Sequence, residues 1–178
     1  MATITVTTFL SLDGVMENPA WTAPYWNDDI AAFKAEETTP GTAMLLGRVT
    51  YQAFAAAWPT STDEGAAVFN PMRKYVASTT LTDTEWNATL LTGPVPQAVA
   101  ELKERETGQL VVHGSAALVR TLIAHDLVDS YRFIVYPVVL GTGKRLFDES
   151  TRATLELQDS RPVGTTGVTA LRYAPKRG

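Results

Sequence analysis

The sequence contains no cysteine, only two histidines and no excess of basic residues. Without cysteine there are no disulfides, no thiolate nucleophile and no Cys-ligated metal, and two histidines do not make a catalytic metal site at a recognisable spacing. The 15 basic and 19 acidic residues give a formal charge of -4 without a Lys/Arg cluster, which argues against nucleic-acid binding. No apolar run approaches membrane-spanning length. We therefore expect no metal, no nucleic acid and no membrane as partners.

The composition indicates one folded domain. With 178 residues, 45% of them hydrophobic and 19% charged, the chain can bury one sizeable core, and two independent domains would be cramped. Because no linker, repeat or charge block interrupts it, we expect a single domain over residues 1–178. Residues 1–9 alternate like a strand and lack a positively charged n-region, so we expect a cytoplasmic protein in a reducing compartment.

Hydrophobic periodicity alternates between strands and helices up to about residue 125, and three strands follow. This order predicts a mixed three-layer α/β domain whose last three strands are antiparallel neighbours at one edge of the sheet. The predicted strands are 3–9, 43–46, 74–78, 89–91, 109–113, 131–140, 154–158 and 167–173, and the predicted helices are 29–34, 50–57, 95–102 and one opening after residue 115.

Two turns share one design, in which a short apolar strand is followed by a glycine and then by a helix. They are centred on Gly47 and Gly114. A helix N-terminus exposes unpaired N–H groups and a partial positive charge, and glycine lets a phosphate approach the backbone. Each turn is thus a candidate anion cradle, and two cradles suit a dinucleotide. Glycine also occurs at such turns for backbone geometry alone, and the sequence leaves both interpretations open.

Three side chains near these turns are candidate donors to a phosphate monoester. Arg48 follows the first glycine, and Ser78 and Thr79 follow the strand at 74–78. Such donors would favour NADPH over NADH. A surface ion pair is the equally supported alternative for Arg48.

Five motifs, in order from about residue 3 to residue 174, resemble the dihydrofolate-reductase-like family. Within that family the chain is most similar to the riboflavin-biosynthesis reductase group, the RibD C-terminal domain. The motifs are Ser11-Leu12-Asp13-Gly14, Leu45-Leu46-Gly47-Arg48-Val49-Thr50-Tyr51, the run 74–81, Val112-His113-Gly114-Ser115-Ala116, and the run 137–147.

The resemblance implies a largely parallel sheet closed by an antiparallel edge, flanked by helices, with NADPH across the carboxyl ends of the strands. It also implies a homodimer. The cofactor residues it implies are Gly47, Arg48 and Thr50 at the first turn, Ser78 and Thr79 at the adenosine 2′-phosphate, and Gly114, Ser115 and Ala116 at the pyrophosphate.

The catalytic residue that the resemblance implies is Asp29, because dihydrofolate reductases carry an acidic residue shortly before an aromatic residue that contacts the pterin. Phe33 is then the matching substrate-binding residue. The alternative is that Asp28 and Asp29 only cap the helix and complement its dipole.

Asp13 and Trp26 are two further candidate substrate-binding residues. Asp13 either binds a substrate amide or hydroxyl or simply forms the turn with Gly14. Trp26, with the nearby Trp21 and Tyr25, either stacks on a planar ring or packs in the core. His113 is interpreted as a structural histidine.

The resemblance as a whole predicts an NADPH-dependent reductase of a planar heterocycle, such as a pterin or a ribosylaminopyrimidine. Its proton would come from Asp29 or water. The alternative is a protein that binds NADPH or a pterin in the same cleft without turnover.

Overall fold

The structure is a computed structural model that describes residues 1–176. It contains eight strands and five α-helices, with two 3-10 segments at Pro19–Tyr25 and Trp58–Thr60. The strands are β1 (Thr3–Ser11), β2 (Ala43–Gly47), β3 (Lys74–Ala77), β4 (Ala88–Leu91), β5 (Gln109–His113), β6 (Ser130–Tyr136), β7 (Leu155–Pro162) and β8 (Thr169–Pro175). The helices are α1 (Asp28–Ala35), α2 (Arg48–Ala57), α3 (Glu64–Phe69), α4 (Val95–Arg105) and α5 (Ala116–Ala124).

All eight strands form one sheet in the order β4-β3-β2-β5-β1-β6-β8-β7. Strands β1 to β6 are parallel, whereas β8 pairs antiparallel with both β6 and β7. The carboxyl ends of β1, β2, β3 and β5 therefore meet at one edge of the sheet. This is the dihydrofolate-reductase-like arrangement that the sequence predicted, a mostly parallel sheet with antiparallel strands at its end.

Helices cover both faces of the sheet. Apolar side chains of α4 and α5, among them Val99, Leu102 and Leu122, pack with inward residues of the central strands. On the other face α1 packs against β6 and β8 through Ile30 and Phe33, and α2 and α3 pack against β2 and β3. Since the central strands are covered on both faces, they read as continuous apolar runs in the sequence.

All the predicted strands and helices are present, although several of them begin or end at other residues than predicted. Strand β6 stops at Tyr136 rather than 140. Pro137 follows it and has no N–H to donate to a ladder. Helix α3 was not predicted, because its six residues are too few to show a helical period. Within residues 1–176, no helix has both the length and the apolar character that crossing a membrane requires.

Candidate functional site

The strands β2 and β5 are parallel neighbours in the sheet, but the strands that follow them along the chain are added on opposite sides. From β2 the chain passes through α2 to β3 on one side, and from β5 it passes through α5 to β6 on the other. At such a switch point the two strand-to-helix turns diverge and leave a crevice at the carboxyl ends, where α/β proteins bind their ligands. Gly47 and Gly114 flank this crevice, so the topology itself opens a site at the two predicted turns.

A single hydroxyl joins the two turns. The Gly47 N–H donates to Ser115 Oγ at 3.0 Å, and Ser115 Oγ donates to Thr50 Oγ1 at 2.7 Å. An added Cβ on Gly47 would lie 2.9 Å from Ser115 Oγ, so a side chain there would push the turns apart. The Gly47 turn and the Gly114 turn therefore form one continuous surface.

The second turn has a left-handed backbone. Gly114 has φ +62° and Ser115 has φ 62° and ψ 65°. For a non-glycine residue such as Ser115 this conformation is uncommon and costs about 1 kcal/mol or more. It starts α5 at Ala116, so the unpaired amides of the first helical turn and their partial positive charge face the crevice.

A groove of about 780 Å³ runs along these turns. All eight residues predicted to bind the cofactor line it, and they are Gly47, Arg48, Thr50, Ser78, Thr79, Gly114, Ser115 and Ala116. The structure thus brings together residues up to 69 positions apart, from Gly47 to Ala116.

Cationic side chains predominate in the groove. Lys34, Arg48, Arg120 and Lys144 line it, against one carboxylate, Glu17, among the described residues. Arg120 pairs with Asp148 at 2.7 Å, whereas Arg48 donates to the neutral amide of Gln52 at 3.1 Å. Arg48 makes no ion pair with the described part of the chain, so its charge remains available to an anion.

The Ser78 end of the groove is a tight turn of backbone. Ser78 Oγ accepts from the N–H groups of Thr80 at 3.2 Å and Leu81 at 3.1 Å. Ser78 Oγ also lies 3.4 Å from Thr80 Oγ1, so the hydroxyl proton, its one remaining donor, is either shared with Thr80 or donated to an anion.

Lys34 lines the groove at the β1 end. It was not among the site residues predicted from the sequence. Its Nζ donates to Thr7 Oγ1 at 2.9 Å and to Glu37 Oε2 at 2.6 Å, and Thr7 Oγ1 donates to Glu37 Oε1 at 2.6 Å. The Glu37 side chain is 3% exposed and that of Lys34 is 18% exposed. Sequence offered one signal for it, since Lys34 shares the apolar helix face of Ile30 and Phe33.

His113 lies beside this cluster, on the strand that pairs with β1 at Thr7. Burial, followed by the positive charge of Lys34, holds the pKa of His113 well below its ordinary value of 6.5. The ring packs edge-on against Phe69, with centroids 5.4 Å apart. A neutral imidazole therefore forms part of the groove wall.

Asp13 lies outside the residues that line the groove. Its carboxylate accepts from Ser11 Oγ at 2.6 Å and from the N–H groups of Leu140 at 3.1 Å and Gly141 at 2.9 Å, and Arg145 contacts it at 3.2 Å. The Ser11 hydrogen bond, with those from the backbone, holds the pKa of Asp13 well below its usual range. The observed contacts are those of a residue that anchors the loop after β6.

Asp29 and Phe33 also lie outside the groove lining. Asp29 Oδ2 accepts from the Gly164 N–H at 3.0 Å, and Asn27 rather than Asp29 caps α1 by accepting from the Ile30 N–H at 3.0 Å. Phe33 is 1% exposed, and the Arg132 guanidinium lies 4.0 Å from its ring centroid. The substrate and catalytic roles of these residues stay predictions.

Trp26 borders the groove through Phe9. The two rings meet edge to face with centroids 6.3 Å apart, Phe9 lines the groove and Trp26 is 52% exposed. Trp21 and Tyr25 instead pack on the buried Tyr136, with centroids at 5.4 Å and 5.6 Å. For these two, packing in the core is the alternative that the structure supports.

A sequence profile decides the family. The profile of the RibD C-terminal domain matches residues 2–169. The chain belongs to the RibD C-terminal domain family. The uncharacterized protein YyaP of Bacillus subtilis (strain 168) is 33% identical over 102 residues, a match that spans 57% of this chain and 54% of that relative.

Solved structures related in fold include two reductases. The dihydrofolate reductase of Enterococcus faecalis, complexed with NADP(H) and RAB-propyl, has a TM-score of 0.71 at 13% identity and covers 98% of this chain and 97% of its own. The diaminohydroxyphosphoribosylaminopyrimidine deaminase/5-amino-6-(5-phosphoribosylamino)uracil reductase of Thermotoga maritima has a TM-score of 0.66 at 11% identity, covering 98% of this chain and 56% of its own. Because these sequence identities are low, the two structures show only that this RibD C-terminal domain shares their fold.

Proposed function

We propose that this protein is an NADPH-dependent reductase of a planar heterocycle, either a pterin or a ribosylaminopyrimidine. The observation that carries the proposal is the joining of the Gly47 and Gly114 turns by Ser115 at the switch point of the sheet. Two amide cradles in one groove are suited to a pair of linked phosphates.

The groove fits a nicotinamide dinucleotide in three respects. Its volume of about 780 Å³ lies within the range of small-molecule sites. A side chain on Gly47 would fill the cradle, since its Cβ would meet Ser115 Oγ at 2.9 Å. The excess of cationic side chains complements phosphates.

In this proposal the pyrophosphate lies against the backbone at Gly47 and at Gly114, Ser115 and Ala116. The amides that hold it are those that follow the two glycines in the first turns of α2 and α5, because the Gly47 and Gly114 N–H groups already donate to Ser115 Oγ and to the Thr7 carbonyl. Arg48, Thr50, Ser78 and Thr79 hold the adenosine end with its 2′-phosphate. The other end of the dinucleotide then reaches β1, near Thr8 and Phe9, which line the groove. A nicotinamide cofactor bound there would supply a hydride, and the protein would orient the substrate and exclude water.

The two reductases of similar fold support the substrate class, because one acts on dihydrofolate and the other on 5-amino-6-(5-phosphoribosylamino)uracil by name. Both carry a flat ring with several hydrogen-bonding groups. Phe9 and the exposed Trp26 offer aromatic surface at the β1 end for such a ring.

The test is a direct assay of cofactor binding and turnover. The purified protein is titrated with NADPH, NADH and their oxidised forms by calorimetry, and NADPH absorbance is then followed with dihydrofolate and with the ribosylaminouracil. We expect tighter binding of NADPH than of NADH, and NADPH consumption with one of the two compounds. Absence of NADPH binding would exclude the proposal, and binding of cofactor and compound without consumption would favour the non-catalytic alternative.

Three further assignments accompany the proposal as predictions, namely a single domain over residues 1–178, a homodimer and a cytoplasmic location. Sedimentation equilibrium at several concentrations tests the homodimer, and a single cooperative unfolding transition is the expectation for one domain.

A further inference from the structure

Lys34 is held at the β1 end of the groove by a closed triangle of hydrogen bonds. Its Nζ donates to Thr7 Oγ1 and Glu37 Oε2, and these two side chains are themselves joined at 2.6 Å. Thr7 is 2% exposed and the Glu37 side chain 3%, so the triangle is fixed on a buried base. These contacts fix the position of the Lys34 ammonium, whereas the ammonium of a surface lysine is usually mobile.

The ammonium retains capacity for one more partner. Lys34 has three N–H donors, and the described residues accept from two of them. Its side chain is 18% exposed and lines the groove, and its Nζ lies 5.3 Å from the centroid of the Phe9 ring. The remaining donor is therefore available to a ligand that lies against Phe9.

The triangle lies next to the cofactor turn. Thr7 is the register partner of His113, and the Gly114 N–H donates to the Thr7 carbonyl at 3.2 Å. A dinucleotide that passes Gly47 and Gly114 toward β1 thus ends beside Lys34. This placement rests on the proposed function.

From this geometry we infer that Lys34 is the catalytic residue that binds an acceptor atom of the substrate heterocycle and gives it a proton. Glu37 and Thr7 are positioning residues. The substrate class follows as a ring or an imine whose reducible C=N or C=O heteroatom faces Lys34.

The reaction balances with groups already named. The substrate carbon gains a hydride from the reduced nicotinamide, which is oxidised, and the π electron pair of the C=N or C=O bond moves to the heteroatom. That heteroatom forms a bond to a proton from Lys34 Nζ, and an N–H bond of the ammonium breaks. The neutral amine then regains a proton from water.

The other titratable groups near Lys34 fit this role less well. Burial and the Lys34 charge hold the pKa of His113 well below its ordinary value, which disfavours the imidazolium form that would act as a general acid. Arg132 contacts Glu37 at 3.5 Å from β6, and a guanidinium does not release its proton. Glu17 is the remaining competitor in the groove, where it faces Lys144 at 3.7 Å.

The first measurement is binding, independent of turnover. Folate and 5,6-diaminouracil are titrated by calorimetry into the protein saturated with NADP⁺. We expect Lys34→Met to weaken the better-bound probe by about 10- to 100-fold, the loss of one charge-assisted hydrogen bond, with NADP⁺ affinity nearly unchanged. The exposed Lys176, outside the groove, gives the matched control Lys176→Met, which should bind like the wild type.

The second measurement separates binding from proton transfer. Lys34→Arg keeps a cation but not a labile proton, so it should restore probe binding while kcat stays reduced by about 100-fold or more. Glu17→Gln, which removes the one carboxyl among the described groove residues, should lower kcat far less than Lys34→Arg does. If Lys34→Met unfolds because Glu37 loses its partner, the double variant Lys34→Met with Glu37→Gln removes both charges together and gives the same comparison.

Four results would contradict these expectations. An unchanged kcat and probe affinity in Lys34→Met would overturn the inference while the proposed reductase function stands. A loss of kcat in Glu17→Gln as large as the one expected for Lys34→Arg would overturn it in the same way. Cofactor binding with neither probe bound nor reduced would overturn it as well, while the cofactor site stands. Absence of NADPH binding in the wild type would overturn the proposed function, and the inference with it.

Discussion

The Gly47 amide and the Ser115 hydroxyl, 68 residues apart in sequence, are joined by a hydrogen bond of 3.0 Å. This bond fixes two helix N-termini relative to each other, because Gly47 precedes α2 and Ser115 precedes α5. Because the same hydroxyl also donates to Thr50 Oγ1 at 2.7 Å, the spacing of the two turns depends on Ser115.

We expect Ser115→Ala to weaken NADPH binding and to lower the free energy of unfolding by about 1–3 kcal/mol, since two neutral hydrogen bonds are lost and the Gly47 amide loses its acceptor. Calorimetry and urea denaturation measure the two effects. Ser160→Ala, an exposed position on the edge strand β7, is the matched control. Wild-type cofactor affinity in Ser115→Ala would mean that the joint does not position the cradles.

Arg48→Ala tests the choice between the two nicotinamide cofactors. Because Arg48 has no carboxylate partner in the described part of the chain, we expect NADPH binding to weaken by roughly 1.5 to 3 kcal/mol and NADH binding much less. Arg105→Ala, at a largely exposed guanidinium outside the groove, should change neither affinity. Equal losses for NADPH and NADH would contradict a contact of Arg48 with the 2′-phosphate.

Asp29→Asn separates the sequence-based proton donor from Lys34. The amide oxygen of asparagine can still accept from the Gly164 N–H, so the fold should be retained. Since Asp29 lies outside the groove lining, we expect kcat to change by no more than about twofold, far below the loss of a general acid. Steady-state kinetics with the better of the two substrates measures this, and a large fall in kcat would return the role to Asp29.

Asp13 should make stability depend on acid pH. The pKa of Asp13 is lower in the folded protein than in the unfolded chain. The contribution of its carboxylate to the free energy of unfolding is therefore fully present above the unfolded pKa of about 3.9, and it is lost as the pH falls toward the folded pKa. We expect Asp13→Asn to be less stable than the wild type at neutral pH, with a gap that stays constant down to about pH 5 and narrows only in stronger acid.

Urea denaturation of both proteins across this pH range measures the gap. Asp63→Asn, at an exposed helix start without a side-chain cap, should show no comparable gap. A gap between wild type and Asp13→Asn that is independent of pH down to strong acid would show that the charge of Asp13 contributes nothing.

Sequence patterning determined most of the secondary structure and the grouping of the residues proposed to bind the cofactor. The apolar runs ending in Gly47 and Gly114 specify strands that are buried on both faces and stop at a glycine, and this information is local. All eight predicted cofactor residues line one groove for that reason, because parallel strands place their carboxyl ends at the same edge of a sheet.

The tertiary structure alone decided which side chains meet at the β1 end of the groove. Asp29, Phe33 and Lys34 lie within two helical turns. Their spacing puts Phe33 and Lys34 on one face of the helix, but it does not say what that face contacts. The packing of α1 on β6 and β8 buries Phe33 and turns Lys34 toward Thr7 and Glu37. That orientation depends on burial and on contacts with other strands, which no spacing within one helix contains.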